Sequence, residues 1–299
     1  MSQGPPIELP AEWGGVVPSQ AFIDECRRIV DEANKRGVVL RAMGGVGIRL
    51  HCLGYGEFAS RMDRIAEGKQ EFSDLDFMSY KKQRDQMKDF FTSMGYSKRR
   101  ATLATAASER QIYFHQKGWF FVDVFFDRLV VANHQIDFRG RLELDSPTVP
   151  VTDLLLEKLQ IVGFSEKDLK DTLLLLIAHD AKAGNESEAV NVDRVANLLS
   201  DDWGFWYTVT TNLKGIKTLL PTIPDLSEDE RSNLLSKIDS LEARIDAEPK
   251  TTGWKLRSTI GSRKRWYHQV ETTETVGEFG IWRLREEPTG TRQKAEKGN

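Results

Sequence analysis

The sequence has few cysteines and no long apolar run. Cys26 and Cys52 are the two cysteines among 299 residues, and neither has a CxxC partner. Two cysteines cannot form the disulfide framework of a small secreted domain, so they indicate a reducing compartment. No apolar stretch approaches the roughly 20 residues of a membrane-spanning helix, and residues 1–15 lack the basic and apolar regions of a signal peptide. We expect a cytoplasmic protein with no membrane partner.

The sequence also has no large excess of one charge. It contains 42 Lys and Arg against 45 Asp and Glu, a net charge of −3, which argues against a general nucleic-acid-binding polycation. The charge is uneven, because residues 250–299 carry 11 basic and 6 acidic side chains, a local excess of +5. A basic C-terminal segment therefore follows an acidic body.

Hydrophobic periodicity changes near residue 150. Before this point helical and strand patterns alternate, whereas after Pro150 most patterns repeat every 3.6 residues. The sequence thus predicts an α+β fold, with a small mixed sheet flanked by helices and then a helical domain. The predicted segments are an irregular lead-in (1–18), a mixed domain (19–150), a helical domain (151–250), a basic aromatic segment (251–285) and a disordered tail (286–299).

Individual elements can be placed from their patterns and turn residues. Ser19 is predicted to cap a helix that ends at Gly37, and a buried strand follows at residues 38–43. Residues 72–78 alternate as in a strand. Further predicted elements are a helix at 81–94, a hairpin of strands at 111–115 and 119–126, a loop at 54–70 and an extended segment at 251–284.

The predicted strand at 72–78 carries two carboxylates, Asp74 and Asp76. Residues two apart on a strand share one face, so both carboxylates project together while Leu75 points into the core. Two like charges so close raise each other's pKa unless a cation lies between them. A divalent metal bound by carboxylate oxygens relieves the repulsion. The alternative is a pair of solvated acids at the edge of a strand.

A third carboxylate, Asp123, lies within the otherwise apolar run 119–126. A carboxylate in such surroundings is unfavourable unless it is paired or binds a metal. A salt bridge to Arg128 or Lys117 is the structural alternative. With the Asp74 and Asp76 pair on a neighbouring strand, the metal-binding interpretation gains support.

Gly44 and Gly45 separate a predicted buried strand from the start of a helix. Glycines at such a turn let the backbone approach a phosphate, and the helix N-terminus offers free N–H groups. A tight strand-to-helix turn without a ligand is the alternative. The segment has neither the GxGxxG spacing of a dinucleotide-binding fold nor the GK[ST] of a P-loop.

In this order, these motifs resemble the nucleotidyltransferase fold of the DNA polymerase beta superfamily, and within it the AbiEii-type, toxin-like nucleotidyltransferases. The family pattern is a Gly-Gly turn, a DLD or DID pair, a further Asp on a later strand, a Lys on the next helix and a charged box resembling RDxxD. The resemblance covers about residues 38–180. The matching segments are Met43–Val46, Ser73–Asp76, Val122–Val124, Leu156–Gln160 and Lys167–Asp171.

The resemblance implies an enzyme that moves an NMP from an NTP to an acceptor hydroxyl and releases pyrophosphate. It implies that Asp74, Asp76 and Asp123 bind two Mg²⁺ (or Mn²⁺) ions, which activate the hydroxyl and stabilise the leaving group. Asp123 would also orient or deprotonate the nucleophile. Segment 19–150 would be the catalytic domain, the acceptor could be a tRNA 3′ end, a protein side chain or a small molecule such as an antibiotic, and a cognate antitoxin could be a partner.

The resemblance also implies a nucleotide-binding set. Gly44 and Gly45 would cradle the triphosphate, and Lys158 would bind it as a point charge. Asp168 and Asp171, three residues apart on one helix face, would orient Lys158 or contact the acceptor. The structural alternatives are a lysine whose stem packs on the core and whose amine reaches water, and acids favoured by the dipole at a helix start.

One position departs from the family pattern. Family members place Ser or Thr after the two glycines, and this chain has Val46, so a phosphate-binding hydroxyl is missing. This supports a second hypothesis, a nucleotide-binding module that regulates a partner without catalysis. A metal-dependent nuclease that uses the same acids is a third.

Three further patterns remain. The five histidines have no HExxH or Cys/His spacing and are interpreted as structural or surface residues. Residues 254–257 and 263–268 interleave basic and aromatic side chains, which suits phosphate contact and base stacking on single-stranded RNA. A solvated basic face with packed aromatics is the alternative. The aromatic cluster at 203–207 is predicted to belong to the helical core.

Overall fold

A computed structural model describes residues 9–65, 70–99, 110–130, 132–184 and 188–268. Its architecture is mixed α+β, as the sequence predicts. The predicted tail at 286–299 lies outside the described residues, as do residues 1–8 of the lead-in and the end of the basic aromatic segment. None of the described helices combines the length and the apolar character needed to cross a membrane.

The centre of the fold is a mixed sheet in which five strands follow the order β1-β2-β5-β4-β3. β2 runs parallel to β5, and the other neighbouring pairs in this order are antiparallel. Short strands β6 and β7 extend the sheet beyond β5, and β8 pairs with β9 separately. The strands are β1 (Arg41–Met43), β2 (Asp74–Ser79), β3 (Ser97–Lys98), β4 (Arg110–Phe114), β5 (Phe121–Phe126), β6 (Arg128–Leu129), β7 (Ile136–Asp137), β8 (Ala181–Lys182) and β9 (Val190–Asn191).

Helices flank the sheet and dominate the chain after residue 150. The α-helices are α1 (Ser19–Lys35), α2 (Gly44–His51), α3 (Gly56–Arg61), α4 (Gln86–Ser93), α5 (Val151–Leu159), α6 (Glu166–Ala178), α7 (Val192–Asp201), α8 (Trp203–Leu219), α9 (Glu228–Ala247) and α10 (Thr252–Ile260). Short 3-10 helices cover Ala11–Trp13, Leu53–Tyr55, Lys81–Gln83, Leu220–Thr222 and Gly261–Arg263. The predicted hairpin at 111–126 is confirmed, with β4 and β5 antiparallel.

Three sequence predictions of local structure are wrong. Ser19 is the first residue of α1 rather than its cap, and Pro18, which has no capping side chain, precedes it. The predicted loop at 54–70 contains α3, because Phe58 and Ala59 give this short polar stretch a buried face. The predicted extended segment at 251–284 contains α10, whose cap is the Thr251 hydroxyl, which accepts a hydrogen bond from the Trp254 N–H.

Two hydrophobic clusters cover the two faces of the sheet. One cluster joins α1 and α4 to β2 and β5 through residues such as Phe22, Phe77 and Val124. The other joins Met43 and Met78 of the sheet to the helices after residue 150, including Leu154 of α5. The second cluster therefore crosses the predicted boundary at residue 150, and it packs the sheet face that carries the acidic residues against α5.

Candidate active site

Asp76 and Asp123 are neighbours across the parallel strands β2 and β5, where their Cα atoms are paired in register. In-register residues of neighbouring strands point to the same face of a sheet, and Asp74, two residues before Asp76, shares that face. Leu75 and Phe77 point the other way, into the cluster with α1. The sheet therefore brings the three predicted acids to one face, through register rather than through any local motif.

The three acids differ in their partners. Asp74 accepts a hydrogen bond from the Ser73 hydroxyl at 2.9 Å, and Oδ2 of Asp123 accepts one from Nη1 of Arg110 at 2.9 Å. The other carboxylate oxygen of Asp123, Oδ1, is buried and has no hydrogen-bond partner. Asp76 makes no side-chain hydrogen bond or ion pair with the described part of the chain. Unpartnered carboxylate oxygens in a buried setting suit a cation, because burial without a partner is unfavourable.

The structural alternative for Asp123, a salt bridge to Arg128 or Lys117, is wrong about the cation, because Asp123 pairs with Arg110. Arg128 pairs instead with Asp137, at 3.5 Å, and the Lys117 amine lies over the Trp119 ring. Arg110 reaches Asp123 because it lies two residues from Ile112, which is the register partner of Asp123 on β4. Arg110 precedes the segment predicted as a strand, so its direction could not be deduced from the sequence.

Burial and nearby negative charges shift Asp76 and Asp123 towards protonation. Burial raises the pKa of Asp76 well above its ordinary value, and the negative charges of Asp74, Asp123 and Glu157 add to the shift. Burial also raises the pKa of Asp123 to about 6, although Arg110 opposes the shift. A site that disfavours its own negative charge would gain from a bound divalent cation.

The Gly-Gly turn lies against these acids. Gly44 has a φ of +64°, and a Cβ atom built on it would lie 2.5 Å from Oδ2 of Asp76. Only glycine combines this left-handed backbone with such a close approach. Gly45 is also confined, since a Cβ atom there would lie 3.4 Å from Nη2 of Arg64. The turn therefore presents backbone to the carboxylate group, and α2 starts at this point.

A fourth carboxylate, Glu157 of α5, was not assigned a role from the sequence. Its Oε2 accepts a hydrogen bond from the Gly44 N–H at 3.1 Å, so it occupies the N-terminus of α2, where negative charge is favoured. Burial raises the pKa of Glu157 to about 7, although Lys158 and the Gly44 N–H oppose the shift. The signal in the sequence was its place beside Lys158 in Leu156–Gln160, but nothing there indicated contact with residue 44.

Lys158, Asp168 and Asp171 come together, as the sequence predicts, and form a buried ion network. The Lys158 amine lies 3.0 Å from Asp171 and 3.4 Å from Asp168. Arg64, which sequence reasoning missed, donates from Nε to Asp171 at 2.5 Å. Asp168 has a second role at the start of α6, where its carboxylate accepts hydrogen bonds from the N–H and hydroxyl of Ser165. Asp168 therefore lies at a helix start, as the structural alternative predicts, and also contacts the Lys158 amine.

The ion network stabilises the charged forms of Lys158 and Asp171. Burial alone would lower the pKa of Lys158, but Asp171, Asp168 and Glu157 hold it above its ordinary value. Burial would raise the pKa of Asp171, but Lys158 and Arg64 hold it below its ordinary value. Lys158 is thus a fixed, buried cation next to Glu157, whose carboxylate accepts the Gly44 N–H. It is not a lysine whose amine reaches water.

The aromatic residues of the basic segment pack against α8. Trp254 meets Trp206 edge to face at 5.0 Å, Trp266 donates from Nε1 to the Thr208 hydroxyl at 3.0 Å, and the Arg257 guanidinium lies 4.6 Å from the Trp203 ring centroid. The packing removes Trp254 and Trp266 from a role as free stacking platforms. Among the residues of this segment that the structure describes, 251–268, the exposed cations are Lys255, Arg263, Lys264 and Arg265.

One histidine-containing group comes together, apart from Asp74, Asp76 and Asp123, whose carboxylate oxygens do not all lie within 4.8 Å of one another. Among the described residues, the group of three or more potential ligands whose atoms all lie within 4.8 Å of one another is His51, His179 and Glu188. Sequence reasoning missed it because His51 and His179 are far apart in the chain and have no recognisable spacing.

Comparison with known protein families finds no family that matches the chain, and comparison with curated proteins finds no match either. The geometry of the site is therefore the basis for a functional proposal.

Proposed function

We propose that this protein is a metal-dependent nucleotidyltransferase similar to the AbiEii-type family. It would transfer NMP from an NTP to an acceptor hydroxyl and release pyrophosphate. The single observation that carries the proposal is the register of β2 and β5. It places Asp74, Asp76 and Asp123 on one face, with Oδ1 of Asp123 buried and unpartnered, beside a strand–Gly-Gly–helix turn.

The acids fit divalent cations by their chemistry. Hard oxygen donors are the ligands that Mg²⁺ (or Mn²⁺) prefers, and the buried, unpartnered Oδ1 of Asp123 is a donor without a protein partner. Asp74, Asp76 and Asp123 would hold the ions. Bound there, two ions would neutralise charge on the phosphates of the NTP and on the acceptor oxygen. Oδ1 of Asp123 would in addition orient the acceptor hydroxyl.

The nucleotide would lie along the Gly44–Gly45 turn. Gly45 offers a backbone N–H at the start of α2, and Arg64 lies against the same glycine. The Gly44 N–H donates to Glu157, so a phosphate that reaches it would displace that carboxylate. Asp168 and Asp171 would act through Lys158, whose amine they hold in place, rather than by touching the nucleotide.

For the acceptor, we propose RNA, with a tRNA 3′ end as the specific candidate. Lys255, Arg263 and Lys264 are exposed near the C-terminal end of the described chain, and such cations bind phosphates without reading sequence. A protein side chain or a small molecule such as an antibiotic would be the acceptor if RNA is not modified. A cognate antitoxin remains a proposal that rests on the family resemblance alone.

A second candidate function is a nucleotide-binding regulatory module without catalysis. Two observations favour it: Val46 replaces the hydroxyl residue that the family places after the glycines, and Glu157 occupies the Gly44 N–H. Such a module would bind NTP at this turn but leave every acceptor unchanged.

The test is to incubate the full chain with total tRNA, Mg²⁺ and each of the four NTPs, labelled at the α-phosphate, in turn. We expect label on RNA and a mass increase of whole nucleotides, both absent in Asp76→Asn and retained in Asp31→Asn, which changes an exposed acid on α1. NTP binding with no transfer to RNA, protein or aminoglycoside acceptors would support the regulatory module. RNA shortening would support the nuclease.

A further inference from the structure

His51, His179 and Glu188 meet although they come from three separate parts of the chain. His51 is the last residue of α2, His179 follows the last residue of α6, and Glu188 precedes β9. Nδ1 of His51 lies 3.2 Å from the Glu188 carboxylate. Nδ1 of His179 lies 3.8 Å from that carboxylate and 3.0 Å from the Glu188 carbonyl oxygen, so a metal-ligand role for this nitrogen would replace the hydrogen bond to the carbonyl. The two imidazole rings are 5.7 Å apart and nearly perpendicular.

The far nitrogen of His51 is held by a second layer of groups. Nε2 of His51 lies 3.0 Å from the Val149 carbonyl oxygen, 2.6 Å from the Thr148 hydroxyl and 3.5 Å from the Asp145 carboxylate. A proton on Nε2 donates to one of these oxygens, which leaves the lone pair of Nδ1 directed to the Glu188 side. Oxygen acceptors on the non-ligating nitrogen are the usual support of a metal-binding histidine, because they fix its tautomer and orientation.

We propose that His51, His179 and Glu188 form a Zn²⁺ site, separate from the Asp74, Asp76 and Asp123 group. Two imidazole nitrogens and a carboxylate oxygen are a ligand set that Zn²⁺ takes readily. Ligand atoms about 2.1 Å from a common zinc ion in a tetrahedron lie ~3.4 Å apart. The separations of 3.2 and 3.8 Å from the Glu188 carboxylate bracket that value. The exposed Glu188 side chain leaves the fourth position to water.

Cys52 lies outside this ligand set. Its Sγ atom is 3.8 Å from Nε2 of His179, whereas Glu188 lies near Nδ1, and it is 3.8 Å from the Leu174 carbonyl oxygen. The thiol therefore contacts the ring nitrogen of His179 that is not a proposed ligand. The proposed ligand set is therefore two histidines and one carboxylate, without a thiolate.

The proposed ion would tie the end of α2 to the end of α6 and to the segment before β9. α2 begins at the Gly44–Gly45 turn, so a zinc ion at its last residue would fix the direction of the helix that presents the turn. Its role would be structural. The zinc proposal stands on its own geometry and does not require the nucleotidyltransferase activity.

The test uses full-length protein without a histidine tag, stripped with a chelator and then titrated with Zn²⁺ against a chromophoric chelator. We expect one zinc ion per chain by elemental analysis and a rise in the thermal unfolding temperature when Zn²⁺ is added. His51→Gln, His179→Gln and Glu188→Gln should each weaken binding 10-fold or more. His268→Gln, at an exposed histidine elsewhere, and Cys52→Ser should bind as the wild type does.

Two results would overturn the site. Binding of equal strength in the wild type and in Glu188→Gln, whose exposed side chain can change without loss of fold, would exclude this ligand set. Co²⁺ in place of Zn²⁺ provides the second measurement: we expect the visible bands of a tetrahedral ion, whereas an added sulfur-to-metal charge-transfer band that disappears in Cys52→Ser would show a thiolate ligand instead. Circular dichroism of each variant checks its fold.

Discussion

The α-carbon of Gly44 lies so close to the carboxylate of Asp76 that a methyl group on it would come within 2.5 Å of Oδ2. Gly44→Ala therefore forces Asp76 to move and places an L-residue at a φ of +64°. The left-handed backbone alone costs about 1–2 kcal/mol in the free energy of unfolding. We expect urea denaturation to show at least this loss, together with loss of nucleotide transfer. Gly54→Ala, where a Cβ atom meets nothing within 4 Å, should do neither.

Asp76→Asn should stabilise the metal-free protein while it abolishes the proposed activity. Burial and the nearby carboxylates raise the pKa of Asp76, so its charge opposes folding as the pH rises through neutrality. A neutral amide of the same shape removes that repulsion, and we expect a gain of about 1–2 kcal/mol in the free energy of unfolding at pH 8 without metal. Asp31→Asn serves as the surface control, and a loss of stability in Asp76→Asn would contradict the repulsion.

Lys158→Met should be strongly destabilising, because it leaves the buried carboxylate of Asp171 with one cation fewer. Removal of one partner from a buried ion pair typically costs about 3–5 kcal/mol. The matched control is Lys217→Met, which breaks partly exposed pairs at 2.6 Å with Asp239 and 2.8 Å with Glu242. Exposed pairs contribute about 1 kcal/mol or less. Equal losses in the two variants, measured by urea denaturation, would refute the assignment of Lys158 to a buried network.

His134 should make the fold less stable in mild acid. Its ring stacks on Phe205 and is hydrogen-bonded to Thr208 at 2.8 Å, and burial lowers its pKa to about 4. In the unfolded chain, His134 takes up a proton near pH 6.5. The stability contributed by the neutral, buried ring is therefore fully present above pH 6.5 and is lost as the pH falls towards 4. We expect this effect to lower the free energy of unfolding by on the order of 2–3 kcal/mol.

The measurement is the free energy of unfolding at pH 7.5 and at pH 5, compared between the wild type and His134→Gln. The variant should show a smaller difference between the two pH values, because Gln does not titrate. Asp31→Asn, which changes an exposed acid on α1, should retain the wild-type difference. An unchanged pH dependence in His134→Gln would show that His134 is not the group responsible.

Basic residues after α9 should set the salt dependence of RNA binding. Simultaneous replacement of Lys255, Arg263 and Lys264 by Gln should lower the slope of log affinity against log salt by about 2, since each phosphate contact on a single strand contributes roughly 0.7. Filter binding of total tRNA over a range of salt concentrations measures the slope. Lys35→Gln, an exposed lysine on α1, should leave it unchanged, and an unchanged slope in the triple variant would remove RNA from this surface.

Elements with a strong hydrophobic period were predictable from the sequence. The hairpin of β4 and β5 and the helix α1 follow directly from alternation or helical spacing around glycines. Two short elements were not predictable. α3 has few apolar residues, and its helical state depends on Phe58 entering a core made by distant residues. α10 lies in a stretch rich in Thr and aromatics, whose preference for strands is outweighed by the Thr251 cap.

The candidate site shows the same division. Asp74 and Asp76 share a face because they are two residues apart on one strand, which the sequence states outright. Their closeness to Asp123 depends on β2 and β5 being adjacent and parallel, and register between distant strands is set by packing. The contacts of Glu157 with Gly44 and of Arg64 with Asp171 join residues more than 100 positions apart. Neither contact has a local signal.

The apolar cluster that unites Met43 and Ile48 with Leu154 and Leu155 has a consequence for how this protein can be divided. A fragment that ends at residue 150 would expose to water the apolar side chains of α2 and β2 that pack against the later helices. Such a fragment would aggregate rather than fold. The acidic face of the sheet and the helices after residue 150 must therefore be expressed in one polypeptide chain.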